Sequence, residues 1–199
     1  MWSNLIFKSM SKLGKKVIKI PEKVSIEKIS DDLLKIKGPL GEADYKLPEG
    51  FLIEIKENEI YVKPKDIKDP NRVNKKIKRM WGTARALLNN KILSTFQEFE
   101  KVLILQGLGY NAEVVGDEIR FKLGFSHPVI VKIPEGIKVK IESLKNQFRI
   151  IVSGKDKERV GEFSAFIRKL KVRDVYKVKG FRYEDEFVKV KPVKKTVGK

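Results

Sequence analysis

Few side chains in this sequence are placed to do covalent or redox chemistry. The single histidine, His127, stands in Gly124-Phe125-Ser126-His127-Pro128. Ser126 and His127 are adjacent, which makes a Ser–His relay between them geometrically awkward. No Gly-x-Ser-x-Gly elbow is present. The segment reads as a turn between strands with a hydrogen-bonded histidine; the functional alternative is an exposed loop that touches RNA. Gly107-Leu108-Gly109-Tyr110-Asn111-Ala112 fits G-x-G-x-x-A after an apolar run. Dinucleotide binding would need a helix next and an acidic residue about 20 positions on. The chain instead continues as AEVVGDEIRFKLG, an alternating hairpin sequence, and residues 127–133 contain no acid. These glycines are expected to form a turn or bulge. Glu184-Asp185-Glu186 could bind Mg²⁺, but pairing with neighbouring Lys and Arg is the expectation. The absence of cysteine excludes disulfides and thiolate metal sites, and one histidine excludes His-rich ones. No catalytic carboxylate pair stands out, and neither a cofactor nor a small-molecule substrate is expected.

The chemistry that is abundant is cationic. The 199 residues hold 44 Lys and Arg against 26 Asp and Glu, a net of +18. Residues 168–199 alone carry 12 basic and 4 acidic side chains, a net of +8, with Tyr176, Phe181, Tyr183 and Phe187 spaced among them. A polyanion is the natural complement, and the interleaved aromatics and Gly180 suit RNA. The bland reading is a solvated tail that keeps the protein soluble. The longest apolar run, Val102-Leu103-Ile104-Leu105, is far short of the ~20 residues of a membrane span.

Elements must position this charge. Residues 17–63 alternate β-branched residues with Lys and Glu: Val17/Ile18/Ile20, Val24/Ile26, Leu34/Ile36, Leu52/Ile53/Ile55 and Ile60/Val62. A helix capped at Asp69 or Asn71 is expected next, with Val73, Ile77, Met80, Trp81, Ala84, Leu87 and Leu88 inward and a stop at Asn89-Asn90. Its basic face, including Lys75, Lys76, Lys78, Arg79 and Arg85, is expected to be solvated, and Trp81 to pack rather than stack on a base. The second half predicts strands at residues 101–105, 110–115, 118–123, 129–133, 137–141 and 148–152. A helix over 157–171 then turns Val160, Phe163, Ile167 and Leu170 inward.

The halves match each other. Leu47-Pro48-Glu49-Gly50 corresponds to Ile133-Pro134-Glu135-Gly136 at an offset of 86, as do Gly38 with Gly124 and Ile55 with Ile141. Lys65-Asp66 corresponds to Lys155-Asp156 at an offset of 90, which needs a four-residue insertion near residues 143–146. The fold class expected is α+β: two duplicated domains, each a mainly antiparallel β-sheet packed against one helix. The boundaries expected are 1–94, with a basic N-terminal extension, and 95–199, with a basic RNA-binding loop and tail.

Several stretches resemble the bacterial-type large-subunit ribosomal protein six family. They are Lys12-Leu13-Gly14-Lys15-Lys16-Val17-Ile18-Lys19-Ile20-Pro21; Lys37-Gly38-Pro39-Leu40-Gly41; Gly82-Thr83-Ala84-Arg85-Ala86-Leu87; residues 107–112 and 123–128; and the segment 176–186. The resemblance covers about residues 11–191 in register. The chain departs from it at Arg173, where the family usually has Pro, at Val178, where it has Gly or Ala, and at Phe181, which replaces a smaller aliphatic residue. Residues 1–10 have no obvious counterpart. The resemblance implies direct binding to large-subunit rRNA near the base of the lateral stalk and the sarcin–ricin loop, beside neighbouring ribosomal proteins.

On this reading Lys169, Lys171, Arg173, Lys177, Lys179 and Arg182 neutralise phosphates. Tyr176 and Tyr183 pack against sugars or bases, and Gly180 lets the backbone turn close to RNA. Lys189, Lys191, Lys194 and Lys195 belong to a tail that stays mobile until RNA orders it. The alternatives are another architectural RNA- or DNA-binding protein, or an enzyme on a polyanion with His127 as base. Nine Arg against 35 Lys, with abundant Ile, point to an AT-rich genome. An organelle-encoded mitochondrial protein is favoured over a bacterial one. With Met1 in place, a removable import sequence is not expected.

Overall fold

The structure is a computed structural model that describes residues 12–30, 32–65, 75–145 and 147–192; the side chains of Lys75, Lys76 and Lys78 lie outside that description. The chain divides into two compact units, residues 1–97 and 98–199. The expected cap at Asp69 or Asn71, and the expected inward Val73, fall outside the described residues.

The first unit runs β1 (Ile18–Lys19), β2 (Ser25–Lys28), β3 (Leu33–Gly38), β4 (Gly41–Lys46), β5 (Phe51–Lys56), β6 (Glu59–Pro64) and α1 (Lys75–Phe96). Its strands pair antiparallel in two sheets, β1-β6-β5 and β2-β3-β4, rather than one. The alternating residues Leu34/Ile36, Phe51/Ile53 and Ile60/Val62 put their side chains into a shared core with Trp81, Ala84, Leu88 and Ile92 of α1. The Trp81 indole N–H donates to the Val62 carbonyl at 2.7 Å, so the ring packs, as expected, with its polar edge satisfied.

Two expectations fail here. Asn89-Asn90 does not stop α1, which continues to Phe96. The buried positions Trp81, Ala84, Leu88, Ile92 and Thr95 keep a spacing of three or four through the asparagines, so stopping there would leave core unfilled. The Thr95 carbonyl also accepts the Leu40 N–H at 3.0 Å, tying the helix end to the β3–β4 turn. Arg85 is not on a solvated face. Its Nε and Nη2 donate to the carbonyls of Lys16 and Val17 at 2.9 and 3.1 Å, and burial pushes its pKa down.

The second unit runs β7 (Phe99–Gln106), β8 (Asn111–Val115), β9 (Glu118–Lys122), β10 (Val129–Lys132), β11 (Ile137–Leu144), β12 (Gln147–Gly154), α2 (Lys157–Leu170) and β13 (Gly180–Tyr183). The Asp156 side chain caps α2 by accepting the Glu158 N–H at 2.9 Å. Val160, Phe163 and Ile167 are buried as expected; Leu170 is half-buried. The sheets are β10-β9-β8 and β11-β12-β7-β13.

The internal match is visible atom by atom. The Leu47 N–H donates to the Asp32 carbonyl, and the Ile133 N–H to the Asp117 carbonyl, both at 2.7 Å. Gly50 and Gly136 share the left-handed conformation, φ +89° and +81°, which glycine adopts without steric penalty. The insertion has a defined form: β5 and β6 have six residues each, β11 and β12 eight each. The offset therefore grows from 86 (137 − 51) to 90 (154 − 64), and the second hairpin reaches two residues further. The other difference is β13. It pairs antiparallel with β7, from Gly180↔Gln106 to Tyr183↔Leu103, on the edge opposite β12. Residues 180–183 are thus a sheet strand where a contact loop was expected.

Candidate nucleic-acid interface

β13 fixes where the basic stretch can go. Phe181 is wholly buried and packs in the core with Phe121, Leu103, Leu105 and Ile167. The strand is reached through residues 171–179, which cross from the end of α2. A Cβ on Gly180, at φ +126°, would lie 2.7 Å from the Lys171 carbonyl oxygen and 2.8 Å from the Arg173 Cα. Gly180 is therefore required by the protein's own backbone and is itself buried, so a role in close approach to RNA is not what its position provides.

At this end of the sheet three pieces of chain surround a cleft of about 400 Å³. One is the turn at residues 107–110, closed by the Tyr110 N–H donating to the Gly107 carbonyl at 3.3 Å. The glycine-rich motif is thus a turn between β7 and β8, as expected. The second is the extended tip of the β11–β12 hairpin, with Ser143 and Lys145. The third is the loop carrying Lys177, Val178 and Lys179. Lys145, Lys177 and Lys179 are exposed, and among the described residues no Asp or Glu lines the cleft. A low-lying pocket walled by one sign of charge concentrates counter-ions. Tyr110, Leu108 and Phe148 supply apolar surface beside the cations. Charge for phosphates and flat apolar surface for sugars or bases is the combination that nucleic acid requires.

The remaining expected contacts are not among the residues that line this cleft. Lys169 is exposed on α2. Lys171 places its ammonium 4.1 Å from the centroid of the Phe125 ring, beside the bend that holds the exposed His127. Arg173 and Arg182 are half-buried; the Nε atoms of both are buried without a protein partner. Burial, and then the neighbouring Arg182 charge, push the Arg173 pKa down. Arg182 donates through Nη1 to the carbonyls of Tyr183 and Glu184 at 3.2 and 3.4 Å. Tyr176 is half-exposed at the loop tip. Lys189 and Lys191 are exposed, but the Lys191 N–H donates to the Val175 carbonyl at 3.1 Å, so the chain is still attached there. Lys194 and Lys195 lie outside the described residues.

Tyr183 is engaged internally. Lys101 and Arg168 lie over its ring, 5.1 and 5.2 Å from the centroid. The acidic triplet is likewise taken up by cations: Glu184 by Arg149, Asp185 by Lys101 at 3.6 Å, and Glu186 by Arg168 at 2.6 Å. The Glu184 carboxylate holds the Arg149 guanidinium above its usual pKa. Lys145 was not anticipated; its signal was the insertion near residues 143–146, which lengthens the hairpin that carries it.

Residues 20–93 and 106–184 match the model of a family described as Ribosomal protein L6. The chain is similar to the large ribosomal subunit protein uL6c of Guillardia theta, 40% identical over 182 residues that cover 92% of this chain and 96% of the relative. It is 39% identical over 183 residues to the large ribosomal subunit protein uL6 of Dictyoglomus turgidum, covering 92% and 96%. It is 40% identical over 188 residues to that of Thermosipho melanesiensis, covering 94% and 100%. The matched interval contains all three walls of the cleft and β13.

Proposed function

The chain belongs to the ribosomal protein L6 family, and on that premise we infer that its work is structural: it is a component of the large ribosomal subunit and binds rRNA. It is not an enzyme, so the reading of His127 as a catalytic base is not carried further. The contact we propose is the cleft of Lys145, Lys177 and Lys179, extended by Lys169, Lys171, Arg173, Tyr176, Arg182, Lys189 and Lys191. The observation that carries it is the meeting of three lysines and no carboxylate in a concave surface with aromatic walls.

Placement near the stalk base and the sarcin–ricin loop, beside neighbouring ribosomal proteins, belongs to the same proposal. Its support is the resemblance carried by residues 107–112, 123–128 and 176–186. A mitochondrial compartment rests on the Lys and Ile bias of the sequence.

The test is binding of the purified protein to a structured large-subunit rRNA transcript between 50 and 200 mM monovalent salt. Engagement of ~6 phosphates lowers affinity about a thousandfold over that range. A flat response overturns the proposal, and equal competition by duplex DNA favours the general architectural alternative.

A further inference from the structure

We propose that Asp174 is a positioning residue of this interface: it fixes the loop that presents Lys177 and Lys179 to the cleft, and so promotes capture of a phosphodiester chain that its own charge would repel. The inference rests on the proposed rRNA-binding function and names the residue on which the geometry of the site depends.

The loop between α2 and β13 has no helix or strand of its own over residues 173–179. A loop of that kind would hold its two exposed lysines in many arrangements, and ordering them on binding would consume affinity. Position 174 limits this with two backbone bonds, and the Asp174 side chain adds a third. The Asp174 N–H donates to the Lys179 carbonyl at 2.9 Å, its carbonyl accepts the Val178 N–H at 3.0 Å, and its Oδ1 accepts the Tyr176 N–H at 2.8 Å. The last is the turn that a short Asx side chain makes with the backbone two residues on.

The loop is also held in a conformation it would not choose. Val178 sits at φ +60°, a region that β-branched residues seldom enter. Such strain persists where the surroundings over-determine it, and it gathers at functional sites. The backbone bonds of Asp174 close on Val178 and on Lys179 beside it, and Lys177, Val178 and Lys179 all line the cleft. Anchoring β13 does not need this device. Its pairing with β7, the Phe181 side chain and the bond from the Phe181 N–H to the Lys171 carbonyl at 2.9 Å do that already.

Charge and geometry make opposite forecasts, which gives the test its sign. Affinity for a structured large-subunit rRNA transcript is measured over a salt series for wild type, Asp174→Ala, Asp174→Asn and a Lys177→Gln/Lys179→Gln double variant, with the thermal midpoint of each. Asp174→Ala removes a negative charge and only the Oδ1 bond to the Tyr176 N–H, the two backbone bonds remaining, yet it is expected to weaken binding ~2- to 5-fold, because the turn that presents Lys177 and Lys179 loosens. Its salt dependence becomes shallower, towards that of the double lysine variant. Asp174→Asn keeps the acceptor and binds at least as tightly as wild type with an unchanged salt slope. Should Asp174→Ala fail to fold, Asp174→Ser, whose hydroxyl closes the same turn more weakly, is read in its place with the same outcomes.

Binding by Asp174→Ala as tight as wild type with an unchanged slope overturns the inference. So does an Asp174→Asn variant as weak as Asp174→Ala, or a double lysine variant that binds normally. Wild-type protein that shows no salt-dependent binding overturns the proposed function, and this inference with it.

Discussion

Phe181 meets Phe121 edge to face, with ring centroids 5.4 Å apart and ring planes at 87°. Both rings are fully buried, so a residue from the most basic stretch of the chain completes the core of the second unit. Aromatic pairs in this arrangement contribute ~0.5–1.5 kcal/mol beyond the area they bury.

Phe181→Ala is therefore expected to destabilise the second unit by ~3–5 kcal/mol. Chemical denaturation checks this, with the unfolding of the first unit unchanged. The same contact alters what a deletion can show. Removing residues 172–199 also removes Phe181 and bares the edge of β7, so loss of RNA binding in such a truncation reports unfolding as well as lost contacts.

Lys145→Gln is expected to weaken rRNA binding ~3- to 10-fold and to lower the slope of log affinity against log salt by ~0.7–0.9, one phosphate contact. Lys145 is exposed at the hairpin tip, so the thermal midpoint stays within about a degree of wild type. A salt titration of the variant beside wild type decides it. An unchanged slope would remove Lys145 from the interface.

Arg173→Gln should separate stability from binding. Desolvation and the nearby Arg182 depress the Arg173 pKa, so its charged form is less favourable in the folded than in the unfolded chain. Stability from this group is recovered only as pH rises above the depressed value, and mutation is the more direct probe. The variant is expected to melt at a higher temperature than wild type while binding rRNA more weakly.

Arg85→Ala behaves in the opposite way. It removes two hydrogen bonds to the backbone at Lys16 and Val17 and is expected to cost ~1–2 kcal/mol of stability. Affinity for rRNA stays unchanged once the protein is held below its melting range. A drop in affinity without a drop in stability would place Arg85 on the RNA instead.

Acid should loosen the sheets modestly. Hydrogen bonds from Lys63, Lys35 and Lys140 hold Glu54, Glu42 and Glu142 below the ordinary carboxylate value of 4.5. A depressed carboxylate stabilises the fold above its unfolded pKa, and that stability is lost as pH falls through the lower folded value. The pairs are exposed, so the effect is small and salt screens it. Thermal midpoints measured from pH 6 down to pH 3 should fall, and 1 M salt should flatten the part due to these pairs.

The strands of residues 17–63 and 101–152 were legible because their buried faces alternate, and the duplication because its turn residues repeat. β4 was hidden. Its sequence, GEADYK, shows only Ala43 and Tyr45 as alternating non-charged side chains, and the buried Tyr45 has its hydroxyl satisfied by the Ala84 carbonyl at 3.0 Å. β13 was hidden for a different reason. Its alternation is Gly180, Phe181, Arg182, Tyr183 among lysines, and its partner β7 lies more than seventy residues earlier, beyond the reach of any local pattern. The cations of the interface were legible by composition. Their division into a cleft, an inward arginine pair and an internal tyrosine was not, because it depends on which edge of the sheet β13 joins.

That join has a consequence in time. β7 opens the second unit, and β13 is made after every other strand and helix of the described residues. Translation runs from the N- to the C-terminus, so the outer edge of β7 waits uncovered while all the intervening chain is produced. The loop bearing Asp174, Lys177 and Lys179 emerges in the same final passage. A partly made protein therefore possesses neither a finished sheet nor the surface that faces RNA, and readiness for assembly coincides with completion of the fold.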